Sequence, residues 1–172
     1  QFPSKFLTTA ALIAAFVCSG ASFADSCPPP QTISPPLKIQ RVIDGDTVKL
    51  SDGSSVRLTG FNAFELKDSG WKRQYARDAR SLAKAVLTDT IFVTPWPALK
   101  DRYGRLLGNL WMGKAYFGEV LVAKGLALMV SIPPENRLVA CLFDLEWQAR
   151  EARRGVWALD KLPEVIETLN DS

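Results

Sequence analysis

The sequence contains no histidine. That absence removes Ser-His-Asp triads, Cys-His dyads and His-ligated zinc, and leaves acid–base work to Asp, Glu, Lys, Arg, Tyr or water. Three cysteines without a histidine fall short of a four-ligand zinc site. Charge of one sign is also scarce. There are 21 Lys and Arg against 18 Asp and Glu, a net +3. This excludes a general polyanion-binding tail, so any contact with a polyanion rests on local basic clusters. The apolar run from Phe6 to Cys18 stops short of the roughly 20 residues that span a bilayer.

That run reads instead as the middle of a signal peptide. Lys5 precedes it, and Ser22 and Ala24 are small residues at −3 and −1 of a cut before Asp25. Residues 1–24 are therefore expected to be a signal peptide and residues 25–36 a Pro-rich linker. Residues 37–158 form the domain and 159–172 a tail. Export to the periplasm or the medium follows, with no stable membrane anchor once the signal is cut. Export also implies a compartment where disulfides persist. Cys27 and Cys141 survive the cut, and two readings stay open: a bridge from the N-terminal arm to the last third of the domain, or two free thiols.

The 172 residues, 47% of them hydrophobic, suit one domain with a real core. From Leu37 the pattern is strand-like through Ile43, again over Thr47–Leu50, and again from Ser55 to Phe61, with a turn at Ser51-Asp52-Gly53-Ser54. Lys72 to Thr88 is expected to be helical, with Tyr75, Ala79, Leu82, Ala83 and Val86 on one stripe and Arg73, Arg77, Arg80 and Lys84 largely off it. A strand is expected over Thr90–Thr94, ended by Pro95 and Pro97, and another over Arg105–Met112. Helices follow at Ala115–Lys124, closed by Gly125, and at Leu142–Arg154, closed by Gly155. Five short strands, one inserted helix and two terminal helices predict an α+β fold, a five-stranded Greek-key barrel of the OB-fold type with three α-helices. Such barrels commonly receive oligonucleotides.

Three clusters carry the chemistry. In Asp44-Gly45-Asp46, the short distance to Asp52-Gly53 favours a bend or bulge in a continuing strand over a second tight turn. Its two carboxylates are hard oxygen ligands suited to Ca²⁺. Arg57, in mid-strand, offers a planar fork for phosphate oxygens, and Glu65 a base for water. In Lys100-Asp101-Arg102-Tyr103-Gly104-Arg105, basic residues flank an aromatic able to stack on a base or sugar. Each cluster taken alone also reads as an ordinary turn, surface glutamate or solvated loop.

Taken together and in order, they resemble the staphylococcal nuclease (thermonuclease-like) family. The resemblance is carried by Arg41-Val-Ile-Asp-Gly-Asp-Thr-Val-Lys-Leu50, Val56-Arg-Leu-Thr-Gly-Phe-Asn-Ala-Phe-Glu65 and Asp101-Arg-Tyr-Gly-Arg105. Gly118-Glu-Val-Leu-Val-Ala-Lys-Gly-Leu-Ala127 and Glu151-Ala-Arg-Arg-Gly-Val-Trp157 support it. It implies Ca²⁺-dependent hydrolysis of DNA and RNA, single-stranded regions favoured, by a monomer binding one ion. It implies Asp46 as a metal ligand with Asp44 beside it, Asn62 and the Ala63 carbonyl as further ligands, and Arg57, Glu65 and Arg105 as catalytic residues. Tyr103, with Arg102, would lie on the substrate. The chain departs from the family at Asn62, usually Asp, and at Phe64, usually Pro. A pocket tyrosine of the family falls near Ser131. The loss of one carboxylate leaves open the alternative of a weakened enzyme, or of a cell-envelope module that binds nucleic acid without cutting it.

Overall fold

Residues 27–88, 90–131, 137–161 and 165 are described by the structure, a computed structural model of the chain. The proposed signal peptide and most of the tail lie outside them. No helix among the described residues is long and apolar enough to cross a membrane.

The chain opens with a meander. Strand β1 (Leu37–Val42) pairs antiparallel with β2 (Thr47–Leu50), and β2 with β3 (Ser55–Leu58). A short β4 (Phe61–Ala63) then leads to helix α1 (Gly70–Val86). Strands β5 (Thr90–Lys100) and β6 (Leu106–Met112) return antiparallel to each other, and β5 pairs with β1. Strand β6 lies parallel to β3, which closes β1, β2, β3, β6 and β5 into the expected five-stranded barrel. Its interior holds Val42, Val48, Leu50, Val56, Leu58, Ile91, Val93 and Leu110, all buried. Outside the barrel come β7 (Ala115–Tyr116), α2 (Phe117–Ala123), β8 (Ala127–Met129), α3 (Val139–Glu151) and a 3-10 turn, Gly155–Ala158. Strand β8 pairs with β4 in a separate two-stranded sheet.

Several expectations shift. Asp44-Gly45 is not a bulge in a continuing strand. It lies in the tight connection between β1 and β2, where the N–H groups of Ile43 and Asp44 both reach the Thr47 carbonyl. The four-residue strand this leaves between two turns is tolerated because barrel closure pairs it on both edges. The Ser55–Phe61 strand breaks at Thr59-Gly60. Gly60 has φ +91°, and a Cβ there would come 2.8 Å from the Tyr116 hydroxyl, which itself donates to the Thr59 carbonyl at 2.6 Å. Pro95 and Pro97 do not end β5, which runs on to Lys100: Pro95 still pairs with Gly108, and the register with β6 shifts between Pro95 and Lys100. Residues 115–116 form β7 rather than the start of a helix, and α2 begins at Phe117. Helix α3 ends at Glu151 rather than Arg154, since Arg153 turns to φ 49°. The buried face of α1 is Ala76, Ala79 and Ala83, with Leu82 and Val86 only partly covered, so the helix approaches the barrel closely through its smallest side chains.

The Pro-rich stretch read as a linker is docked on the domain. The Ser34 N–H donates to the Val93 carbonyl at 2.9 Å, the Thr94 hydroxyl to the Thr32 carbonyl at 3.1 Å, and Arg137 Nη2 to the Pro29 carbonyl at 3.0 Å. Cys27 and Cys141 form a disulfide with a Cα–Cα separation of 5.1 Å, which decides between the two readings of these cysteines.

Candidate active site

The centre is assembled from the β1–β2 turn, β3 and β4. Asp46 sits at the end of the turn, immediately before β2. Thr47 is directly opposite Arg57 across the β2–β3 ladder, which brings Asp46, one residue before Thr47 and just ahead of the strand, within reach of the Arg57 side chain. Arg57 Nη1 lies 2.8 Å from Asp46 Oδ2. The chain break at Thr59-Gly60 then swings β4 back over this pair. The Ala63 N–H donates to Asp46 Oδ2 at 2.7 Å, and Arg57 Nη2 donates to Asn62 Oδ1. Arg57 Nη1 also donates to the Leu58 carbonyl at 3.0 Å. The Thr47 hydroxyl donates to Asp46 Oδ1 at 3.2 Å, and the Asp46 N–H to Asp44 Oδ1 at 3.1 Å.

Asp46 is 2% exposed. Burial pushes its carboxyl up to about 7, and the neighbouring Asp44 adds to the rise, against the pull of Arg57 and the Ala63 N–H. One guanidinium therefore leaves this buried carboxylate short of positive charge. The oxygens around it fit a hard cation in kind: the carboxylates of Asp46 and Asp44, the amide oxygen of Asn62 and the carbonyl of Ala63. In an extended strand the N–H and C=O of one residue point the same way, so the Ala63 carbonyl shares the side on which its N–H meets Asp46. The set is nevertheless poor in charge. No group of three or more acidic, Cys or His side chains that could hold an ion occurs among the described residues.

A second cluster lies in the turn between β5 and β6. Arg57 is in register with Leu107 of β6, and Arg105 lies two residues before Leu107, just ahead of that strand. Arg105 precedes β6 rather than opening it. Asp101 shapes this corner: its carboxylate takes the N–H groups of Tyr103 and Arg105, each at 2.9 Å, and Arg105 Nε at 2.7 Å. Burial raises the Asp101 carboxyl, but the Arg105 side chain and these N–H groups outweigh it and hold it below its ordinary value. The Tyr103 ring, 69% exposed, has the guanidinium of Arg102 at 5.0 Å and that of Arg105 at 5.5 Å from its centroid.

The structure thus brings Asp44, Asp46, Arg57, Asn62 and Ala63 together, and Arg102, Tyr103 and Arg105 together. Glu65 is exposed, two residues beyond β4, and among the described residues it makes no bond to Asp46, Arg57 or Arg105. Its backbone is held in a turn, with its N–H on Asp68 Oδ2 at 3.0 Å and its carbonyl accepting the Asp68 N–H at 3.0 Å. Phe64, the departure from the usual proline, is buried, with its ring centroid 5.4 Å from Trp71 and 6.3 Å from Tyr75. It anchors the Glu65 turn to α1. Two contributors were missed in the sequence: Thr47, which looks like an ordinary strand residue, and Asp101, whose only signal is the Asp-x-x-Gly-Arg spacing of a tight turn. Ser131 is exposed, and residues 132–136 beyond it lie outside the described residues.

Fold and site together define a class: an OB-type barrel with a buried aspartate, an arginine clamped onto it, and a second arginine in the turn before the next strand. The family model for staphylococcal nuclease homologues matches residues 55–159. The chain is 31% identical over 126 residues to a thermonuclease of Staphylococcus hyicus, covering 70% of this chain and 75% of that one. It is 30% identical over 124 residues to a thermonuclease of Staphylococcus intermedius, covering 69% and 74%. The chain belongs to the staphylococcal nuclease family.

Proposed function

We propose that the protein is an exported, monomeric nuclease that hydrolyses phosphodiester bonds of DNA or RNA with one bound Ca²⁺. The observation that carries this is Arg57, its fork shared between buried Asp46 and Asn62, while Arg105 sits in the turn that leads into the neighbouring strand β6. Two guanidinium groups on one side of a barrel suit a phosphodiester, whose charged oxygens accept planar forks.

Asp46, Asn62 Oδ1, the Ala63 carbonyl and Asp44 would hold the ion. The chemistry a bound Ca²⁺ supplies is polarisation of a phosphoryl oxygen. Glu65 takes the proton of the attacking water, and its exposure fits a base that must meet solvent water. Arg57 and Arg105 neutralise charge growing on the equatorial oxygens. Arg57 exchanges Asn62 for a phosphate oxygen as substrate arrives. Tyr103, flanked by Arg102, receives the base or sugar. The Cys27–Cys141 disulfide supports export, because such bonds persist in oxidising compartments.

The test is cleavage of single-stranded DNA with Ca²⁺ and with chelator. The expected result is cutting with Ca²⁺ alone, lowered by orders of magnitude in Glu65→Gln and in Arg105→Ala. Near-normal rates in either variant reject that residue's role. Asn62 favours one competing reading, a binding module that has lost catalysis, and a gel shift without cleavage in Ca²⁺ would establish it.

A further inference from the structure

The basic side chains of α1 have no part in the centre described above. Arg73, Arg77, Arg80 and Lys84 follow at i, i+4, i+7 and i+11, so the helix stacks them in one ridge about 16 Å long. The buried alanines occupy a different face. None of the ion pairs among the described residues involves these four side chains. The one acid of α1, Asp78, accepts from Gln74. Arg73 and Arg80 each place Nε on a backbone carbonyl, of Asp68 and Val42 respectively. Those bonds fix two guanidinium groups and use one of five N–H donors in each.

A helix placed for stability alone would not choose this pattern. Arg73 with Arg77, and Arg80 with Lys84, are like-charged i,i+4 pairs, which destabilise a helix. The ridge also adjoins the centre. Arg80 reaches the Val42 carbonyl, two residues before Asp44, at 3.4 Å. Ala79, next to Arg80, packs so closely on the turn that a Cβ on Gly45 would come 2.9 Å from its own.

We propose that this ridge is a second nucleic-acid contact, binding phosphates of the strand several nucleotides away from the scissile bond. The inference rests on the reading of the protein as a nuclease. A row of unneutralised cations complements a phosphate backbone. A lipid surface suits it less, because a membrane-lying helix carries large apolar residues beside its basic face. The exposed residues of α1 include no large apolar side chain.

The test uses the Arg73→Gln/Arg77→Gln/Lys84→Gln variant. Arg80 is kept because it holds Val42, and Gln preserves helix propensity; circular dichroism confirms the fold. Binding of a long single-stranded oligonucleotide is measured in chelator over a range of salt. Cleavage of a dinucleotide is measured in Ca²⁺. The expected result is a log Kd against log salt slope smaller by about 2, since each of three lost contacts contributes about 0.7 on single strands. Dinucleotide cleavage stays unchanged. An unchanged slope overturns the inference, as does a variant that loses anionic vesicles while keeping the oligonucleotide. A parent protein that shows the ridge-dependent slope but cuts neither substrate sinks the nuclease reading and leaves the ridge standing.

Discussion

Breaking the Cys27–Cys141 bridge is expected to cost the protein much of its stability. The bridge joins positions 114 apart in sequence, so the loop it closes contains the whole barrel, α1 and α2. In the chain-entropy account a loop of that length removes about 16 cal/mol/K from the unfolded chain, or about 4.8 kcal/mol at 25 °C. For a domain of this size that corresponds to a fall of about 15 °C in Tm. The native state loses less, because Ser34 and Thr32 hold the arm on Val93 and Thr94 independently of the bridge. The effect therefore acts mainly through the unfolded chain, and the urea m-value should rise when the cross-link is gone. The assay is urea unfolding of the Cys27→Ala/Cys141→Ala protein beginning at Asp25, beside the oxidised and the reduced parent. Reduced parent and variant should coincide within about 1 kcal/mol. A loss below about 1 kcal/mol in both, with an unchanged m-value, would refute the entropic reasoning. Two titratable thiols in the oxidised parent would refute the bridge itself.

Asn62→Asp restores a carboxylate beside Asp46 and should tighten Ca²⁺ by about tenfold or more, read by calorimetric titration, with a gain in cleavage; unchanged affinity would remove Asn62 from the metal site. In the Ca²⁺-free protein Asp46 titrates near 7 when folded against an ordinary 3.8. The folded state then binds more protons than the unfolded chain between those values, so this contribution is fully present below about 4 and is lost as pH rises through 7. Unfolding free energy measured in chelator across that range should fall, and Asp46→Asn should flatten the profile. Gly45→Ala would set a Cβ 2.6 Å from that of Ala63 and 2.9 Å from that of Ala79. Such overpacking should cost about 1–3 kcal/mol and lower Ca²⁺ affinity together with stability, since the turn carries Asp46; a stability equal to the parent's would show that the turn is free to move.

Local signals served well where one segment decides its own conformation. Turn residues marked the Asp52-Gly53 hairpin, and periodicity placed α1 to within two residues at each end. They served poorly where a distant partner decides. The break at Thr59-Gly60 depends on the Tyr116 hydroxyl, 57 positions away. The extension of β5 through two prolines depends on pairing with β6. The docking of the Pro-rich arm depends on Val93, Thr94, Arg137 and the bridge. For the same reason Phe64 looked like a lost proline, though Trp71 and Tyr75 make it a packing residue.

The order of Asp46, Arg57, Asn62, Glu65 and Arg105 along the chain, and the absence of histidine, settled which chemistry was open to this protein. Those facts lie in the covalent chain and precede any folding. Only the tertiary structure decided that Arg57 meets Asp46 and Asn62 at once, because that contact requires the β2–β3 register and the return of β4 over β3. Only barrel closure through β3 and β6 set the strand that follows Arg105 beside the one that carries Arg57. Short-range preferences are encoded in each segment, whereas register and closure are selected by the burial of side chains far apart in sequence.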